Sequence, residues 1–385
     1  MWSPKESVQF DSQVKQFQPN DVLFGKLRPY LAKVTRLSEP GVCVGEFLVL
    51  RPKTSEVTPH FLEQLLRSSR VITEVTSWTF GAKMPRADWD IVGNLRVAFP
   101  PVSEQTAIAR FLDYADRRIR RYIAAKKKLI ALLNELKQAI INRAVTRGLD
   151  PTVRLKPSGV EWLGNVPEHW EVKRLKWVTR LQRGYDLPSD QRKEGTVPVV
   201  SSGGVIDTHN QARAFGPGVV MGRYGSTDAV FFLEEDFWPH NTALFVTDFN
   251  GNDPRWSYYL LRTISKADYA SKSAVPGVDR KDLYEIRVAQ PPLEEQTEVV
   301  RRVETQIAHL ESAIACTRRE VTLIREYRTR LIADVVTGKL DVREVAARLP
   351  DEASDALEEE AILVENGNEV EYLDTEAPTE EGYDE

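Results

Sequence analysis

The chain has 385 residues, is 42% hydrophobic and carries a formal net charge of −5. That length fits two or three domains, and that composition supports real cores. No apolar run approaches the roughly 18 residues of a membrane span, no signal-peptide pattern opens the chain, and Cys43 and Cys316 form no close pair. A secreted disulfide framework, a zinc site and a membrane protein are therefore disfavoured, and a soluble cytoplasmic protein is expected.

In chain order, strands are predicted at 21–24 and 42–50, a helix at 59–67 and a strand at 95–99 that leads into Pro100-Pro101. A long helix follows and stops near Gly148. The second half runs through strands at 197–201, 219–222, 229–233 and 243–246, then a helix at 254–262 and a strand at 285–289. Pro291-Pro292 opens a second long helix, which stops near Gly338. β-Branched and aromatic runs separated by Gly, Pro, Asn and Asp support the strands. The glycines are common helix stops.

Residues 85–150 recur at a constant offset of 191. Pro85 recurs as Pro276, Asp88 as Asp279, and Arg96-Val97-Ala98 as Arg287-Val288-Ala289. Pro100-Pro101-Val102-Ser103-Glu104-Gln105-Thr106 recurs as Pro291-Pro292-Leu293-Glu294-Glu295-Gln296-Thr297. Two copies of one unit, head to tail, are implied. Ser103 is a plausible N-cap for the first long helix.

Along that helix, apolar side chains recur at Ile108, Leu112, Ala115, Ile119, Tyr122, Leu129, Leu133, Leu136 and Ile140, broken by Lys126. The second has Val300, Val303, Ile307, Leu310, Ile314, Val321, Ile324, Leu331 and Val335, broken at Thr317 and Arg328. Alternating spacings of three and four over about five heptads predict a coiled coil. Connectivity makes it antiparallel, a rod of about 60 Å with a globule at each end, related by an approximate two-fold axis. Packing of each helix onto its own globule is the competing reading.

The net charge hides an asymmetry. Residues 350–385 hold 15 acidic residues and no Lys or Arg, so the preceding 349 residues carry +10. A basic body suits a polyanionic partner, although a solvated basic surface accounts for the same charge. The tail has the composition of a disordered, solubilising segment.

Signatures of catalysis are missing. There is no Gly-x-x-x-x-Gly-Lys-Ser/Thr, Gly-x-Gly-x-x-Gly, His-Glu-x-x-His or Gly-x-Ser-x-Gly, and no Asn-Pro-Pro-aromatic or Asp-Pro-Pro-Tyr run. The five histidines, His60, His169, His209, His240 and His309, are scattered and read as structural or surface residues. A binding and scaffolding protein is favoured over an enzyme.

The twin Pro-Pro-x-x-Glu-Gln signatures at 100–105 and 291–296, each opening a long helix, resemble the specificity subunits of Type I restriction-modification systems. Gly164-Asn165-Val166-Pro167-Glu168-His169-Trp170-Glu171-Val172-Lys173-Arg174-Leu175 looks like that family's lead into a target recognition domain. Asp21-Val22-Leu23-Phe24-Gly25-Lys26-Leu27-Arg28-Pro29-Tyr30-Leu31 is a third likeness, and together they cover about residues 1–345.

The resemblance implies an α+β fold with two tandem mixed α/β target recognition domains separated by two long antiparallel coiled-coil helices. It implies a non-catalytic subunit that recognises a bipartite, asymmetric site in double-stranded DNA. Such a subunit binds two adenine methyltransferase (modification) subunits and the translocating, nucleolytic restriction subunits. No cofactor is implied for this chain, and S-adenosylmethionine, ATP and Mg2+ are implied for the partners. A stand-alone two-headed DNA-binding regulator is the alternative.

The expected segments are 1–101 (first recognition domain), 102–150 (first spacer helix), 151–292 (second recognition domain), 293–345 (second spacer helix) and 346–385 (acidic tail). Copy two spends about 55 residues between Trp162 and Pro217, whereas only 18 residues precede the equivalent Pro19. The first domain is therefore expected to be shortened at its N-terminus.

Base readout needs forked donors and amides at a surface, with Lys and Arg on flanking phosphates. The candidates are Lys26, Arg28, Lys83 and Arg86 in copy one. In copy two they are Arg223, Tyr224, Asn241, Lys272, Ser273, Arg280 and Lys281. A solvated surface charge is the competing reading for each. Arg117-Arg118 and Lys126-Lys127-Lys128 on the first long helix fit either phosphate contact or a solvated face. Phe111, Ile123 and Ile130, apolar but off the assigned seam, are candidates for docking partner subunits or for core packing.

Overall fold

Val22, Leu23 and Phe24 begin the first repeat as a buried β-branched and aromatic run, and the strand they form organises its sheet. The computed structural model describes residues 14–79, 84–264 and 277–350. They divide into two units. Unit 1 holds the described residues up to Ala125 and from Glu320 onward, and unit 2 runs Lys126–Arg319.

Unit 1 contains β1 (Val14–Phe17), β2 (Val22–Gly25), β3 (Val34–Arg36), β4 (Gly41–Val44) and β5 (Phe47–Leu50). β2 is the middle strand of an antiparallel sheet ordered β3-β2-β5, and β1 pairs separately with β4. The single strand expected at 42–50 is therefore two, divided at Gly45-Glu46, because its halves pair with different partners. Helix α1 (Pro59–Arg67) starts where Thr58 accepts the Phe61 N–H and Pro59 occupies the first turn. Helices α2 (Ser69–Ser77) and α3 (Trp89–Gly93) follow, and Asp88 caps α3 by accepting the Ile91 N–H. The long helix α4 (Val102–Arg147) then leaves the unit.

Unit 2 opens with β6 (Leu155–Pro157) and β7 (Asn165–Pro167), which pair as a hairpin. β8 (Glu171–Arg174) and β9 (Arg180–Arg183) follow, then β10 (Val197–Ser201), β11 (Gly204–His209), β12 (Gly218–Gly222), β13 (Val230–Leu233), β14 (Trp238–Pro239) and β15 (Ala243–Asp248). The main sheet is antiparallel in the order β13-β12-β15-β9, and a smaller sheet runs β11-β10-β14. Helices α5 (Pro254–Thr263) and α6 (Arg280–Glu285) precede β16 (Arg287–Gln290), which pairs antiparallel with β8. Helix α7 (Leu293–Val336) returns the chain to unit 1, where α8 (Arg343–Ala347) follows.

The repeat predicts a strand at 95–99 to match β16, and no strand forms there. β16 is a strand because β8 supplies its ladder partner. No strand among the described residues lies along 96–99, and an extended segment without a ladder partner is not a strand.

The two long helices run antiparallel within each unit. Ile108 and Leu112 near the start of α4 share the unit 1 core with Leu331 and Val335 near the end of α7. Ile141, Ala144 and Val145 near the end of α4 share the unit 2 core with Val299, Val303 and Ile307 near the start of α7. The expected seam of α7 holds, and its two apparent breaks are filled: Thr317 is buried, and the Arg328 Nε lies 2.5 Å from Asp116.

The seam of α4 departs from the expectation in its middle. Tyr122, Leu129 and Leu136 are exposed, and the half-buried line passes through Ile123, Lys126, Ile130, Leu133 and Lys137. Two successive steps of four, Ala115 to Ile119 to Ile123, move the line across the helix surface. A stutter of this kind locally alters the supercoil. Gly148 and Gly338 adopt φ of 73° and 76°, the left-handed conformation that ends many helices. The acidic stretch 351–385 lies outside the described residues.

Candidate nucleic-acid interface

Each unit folds the end of one sheet strand against the segment preceding its short capped helix. In unit 1 the Arg28 N–H donates to the Pro85 carbonyl at 2.9 Å, and the Ala87 N–H donates to the Lys26 carbonyl at 2.9 Å. These bonds enclose a bridge between Leu27 and Arg86. In unit 2 the Val278 N–H donates to the Arg223 carbonyl at 2.9 Å, beside a bridge between Tyr224 and Gly277. Ala87 and Val278 are buried at equivalent places, and Asp88 and Asp279 cap the helices that follow. The recurring Asp starts the helix after the bridge in both units, and in unit 1 Pro85 edges the bridge.

The bridge gathers Lys26, Arg28 and Arg86 on unit 1. Arg86 also pairs with Glu46 at 3.2 Å. Arg28 holds a left-handed backbone, φ 52°, which costs a non-glycine residue about 1 kcal/mol and is frequent at functional sites. Lys83 lies outside the described residues.

On unit 2 the Arg223 guanidinium stacks 4.4 Å from the centre of the exposed Tyr224 ring. The Arg223 N–H donates to the Thr242 carbonyl at 3.0 Å, which places the turn containing Asn241 beside this pair. The Asn241 amide donates to Asp186 at 2.6 Å, so part of its capacity is used within the protein. Arg280 and Lys281 are exposed in the first turn of α6, where the Arg280 guanidinium reaches the Leu181 carbonyl at 3.5 Å. Lys272 and Ser273 lie outside the described residues.

Two further features were not visible in the sequence. Arg213 is exposed and stacks 5.6 Å from the Tyr185 ring and 5.2 Å from the Trp238 ring. Such aromatic contacts pre-orient a guanidinium. Its partners are distant in the chain, so no local pattern announces it. The other feature is an exposed apolar face on α4 in unit 2, comprising Leu129, Leu132 and Leu136. The docking candidates sit deeper: Phe111 packs against the unit 1 core, and Ile123 and Ile130 are half-buried along the helix line.

The model for the "Type I restriction modification DNA specificity domain" matches residues 5–132 and 167–315, one match in each repeat and well over half of the chain. The chain belongs to this family. Relatives include the putative type I restriction enzyme MjaX specificity subunit of Methanocaldococcus jannaschii, 24% identical over 77% of this chain and 71% of that protein. The EcoDI specificity subunit of Escherichia coli is 23% identical over 74% and 70%. A solved chain from work on complex assembly and conformational transition of the type I R-M system has the same fold. It superposes with TM-score 0.69 at 18% identity, over 88% of this chain and 87% of that one. The role of a type I specificity subunit, a DNA-recognition component without a catalytic centre, follows from this membership. No helix among the described residues is long and apolar enough to cross a membrane.

Proposed function

We propose that each unit reads one half of an interrupted, asymmetric site in double-stranded DNA, and that α4 and α7 carry the enzyme subunits that act on it. The carrying observation is the strand-end bridge, built alike in both units but furnished differently. Unit 1 presents Lys26, Arg28 and Arg86, whereas unit 2 presents Arg223 stacked on Tyr224. One frame with two sets of donors fits two different half-sites. Arg280, Lys281 and Arg213 add cationic groups for flanking phosphates on unit 2, and Asn241 adds an amide. Lys83, Lys272 and Ser273 remain sequence candidates for DNA contact and lie outside the described residues.

The exposed leucines 129, 132 and 136 offer a face for a modification subunit, the more accessible counterpart of the half-buried Ile123 and Ile130. Two adenine methyltransferase subunits and the restriction subunits complete the assembly. S-adenosylmethionine, ATP and Mg2+ are assigned to those subunits. The expected segmentation into two recognition domains, two spacer helices and a tail is retained as part of this proposal.

Gel-shift titration on DNA libraries with one half-site randomised tests the reading. Arg28→Ala should relax selection at one half-site, and Arg223→Ala at the other. If neither substitution changes binding or selection, the assignment is wrong. Co-purification of a methyltransferase at a 2:1 ratio separates this reading from a free-standing regulator, which would bind DNA alone.

A further inference from the structure

In unit 2 one residue joins the strand-end bridge to a histidine. The Thr242 carbonyl accepts the Arg223 N–H at 3.0 Å and the Tyr224 N–H at 3.3 Å. The Thr242 hydroxyl accepts the Ser202 N–H at 3.3 Å and lies 3.2 Å from the His240 Nδ1. The backbone of His240 is fixed on both sides. Its N–H donates to the Val200 carbonyl at 2.8 Å, and its carbonyl accepts the Ala243 N–H at 3.0 Å. Gly184 passes so close that a side chain there would begin 2.1 Å from that carbonyl. The imidazole is thereby held at a set place beside Arg223 and Tyr224, next in the chain to Asn241.

Hydrogen-bond accounting then fixes the tautomer. A hydroxyl that accepts from Ser202 has its own proton left to donate, and Nδ1 is the acceptor it meets. A neutral ring that accepts at Nδ1 carries its proton on Nε2. Burial, and then Arg192, hold the His240 titration below the ordinary imidazole value, with Asp186 pulling the other way, so the ring is neutral at neutral pH. His240 is half-buried, and among the described residues its Nε2 has no hydrogen-bond partner. Unit 1 builds the same joint from a different side chain. There the Lys26 N–H donates to the Glu46 carbonyl at 2.8 Å, and the Glu46 carboxylate meets Arg86 at 3.2 Å. The residue at the place of Thr242 holds a cation in unit 1 and an imidazole in unit 2.

We propose that His240 determines specificity in unit 2 by donating its Nε2–H to an acceptor on a base edge in the major groove. The acceptors that fit are a purine N7 or the keto oxygen of guanine or thymine. A neutral donor adds selection without neutralising a phosphate. The inference rests on the reading of unit 2 as a reader of one half-site, and adds to it a residue whose contact is uncharged.

The full chain is titrated by gel shift onto double-stranded DNA libraries randomised in one half-site, at several salt concentrations. His240→Ala should lower the preference at one base pair of the half-site that Arg223→Ala affects. The expected drop is at least about tenfold, equivalent to about 1.4 kcal/mol, with the salt slope unchanged. His240→Gln, whose amide can place a donor near the Nε2 position, should keep part of that preference. Where His240→Ala does not unfold cooperatively, the partial loss in His240→Gln carries the test. Unaltered selection in the His240 variants, with selection relaxed by Arg223→Ala, overturns the inference and leaves the reading of unit 2 standing. A salt slope reduced by about one also overturns it, because the imidazole then acts as a cation on phosphate. If Arg223→Ala is without effect as well, the reading of unit 2 fails and the inference with it.

Discussion

The side-chain carbonyl of Gln296 accepts the backbone N–H of Asp253 at 2.9 Å, while its amide donates to Asn252 at 2.7 Å and to the Pro291 carbonyl at 2.9 Å. Gln105 repeats this in unit 1: it accepts the Thr58 N–H at 2.8 Å and donates to the Glu56 and Pro100 carbonyls at 2.7 and 2.8 Å. Each buried glutamine ties the start of a long helix to the N-cap of the short helix beside it. The Glu-Gln signature is thereby a structural joint.

Gln105→Ala and Gln296→Ala should each destabilise by about 2 kcal/mol, because they strand buried backbone groups as well as removing bonds. Urea unfolding with an unchanged slope checks this. A loss below about 0.5 kcal/mol for either would show the joint to be incidental.

The seam between the long helices carries a second expectation. Arg328 stands at an apolar heptad position and meets Asp116, which also binds Arg120 at 2.7 Å. Removing one partner of such a pair leaves the other charge in the seam with less compensation. Arg328→Leu should therefore destabilise by about 1 kcal/mol, with Arg120 still holding Asp116, measured as a shift in the thermal midpoint.

Arg223→Lys should not rescue the loss caused by Arg223→Ala. A lysine lacks the planar fork and its stacking on Tyr224. Lys281→Ala, by contrast, should weaken binding evenly across DNA sequences and reduce the salt slope by about one. A sequence-dependent effect of Lys281→Ala would move that residue from phosphate contact to base readout.

Acid titration probes the unit 1 sheet. Asp21 is buried, and Arg51 donates to both of its oxygens at 2.6 Å, which holds the carboxyl below its ordinary range despite the opposing effect of burial. A lowered folded-state value stabilises the fold fully above the unfolded value of about 3.9. That contribution is lost as pH falls through the lowered value. The stability gap between the parent chain and Asp21→Asn should be flat near neutrality and close below about pH 4. A gap that widens on acidification would contradict the pairing.

Much of the architecture was legible in the chain itself. The 191-residue offset, the Pro-Pro punctuation and the heptads of α7 are local or periodic signals, and local signals survive folding because they act between near neighbours. The capped helices at Pro59 and Pro254 belong to the same class. The strand expected at 95–99 failed for the opposite reason: a strand exists only with its partner, and Val97 carries the same local sequence as Val288 with none beside it among the described residues.

The α4 seam shows the same division. Sequence spacing put Leu129 in the seam and Ile130 off it, and packing in unit 2 reversed the two. The candidate DNA surface was legible as residue types only. Its assembly, Lys26 beside Arg86 and Arg223 on Tyr224 beside the Asn241 turn, was decided by strand ends meeting segments 19 to 59 residues away. Duplication, periodicity and charge are written along the chain, whereas an edge, a stack or a bridge comes into being when distant backbone arrives.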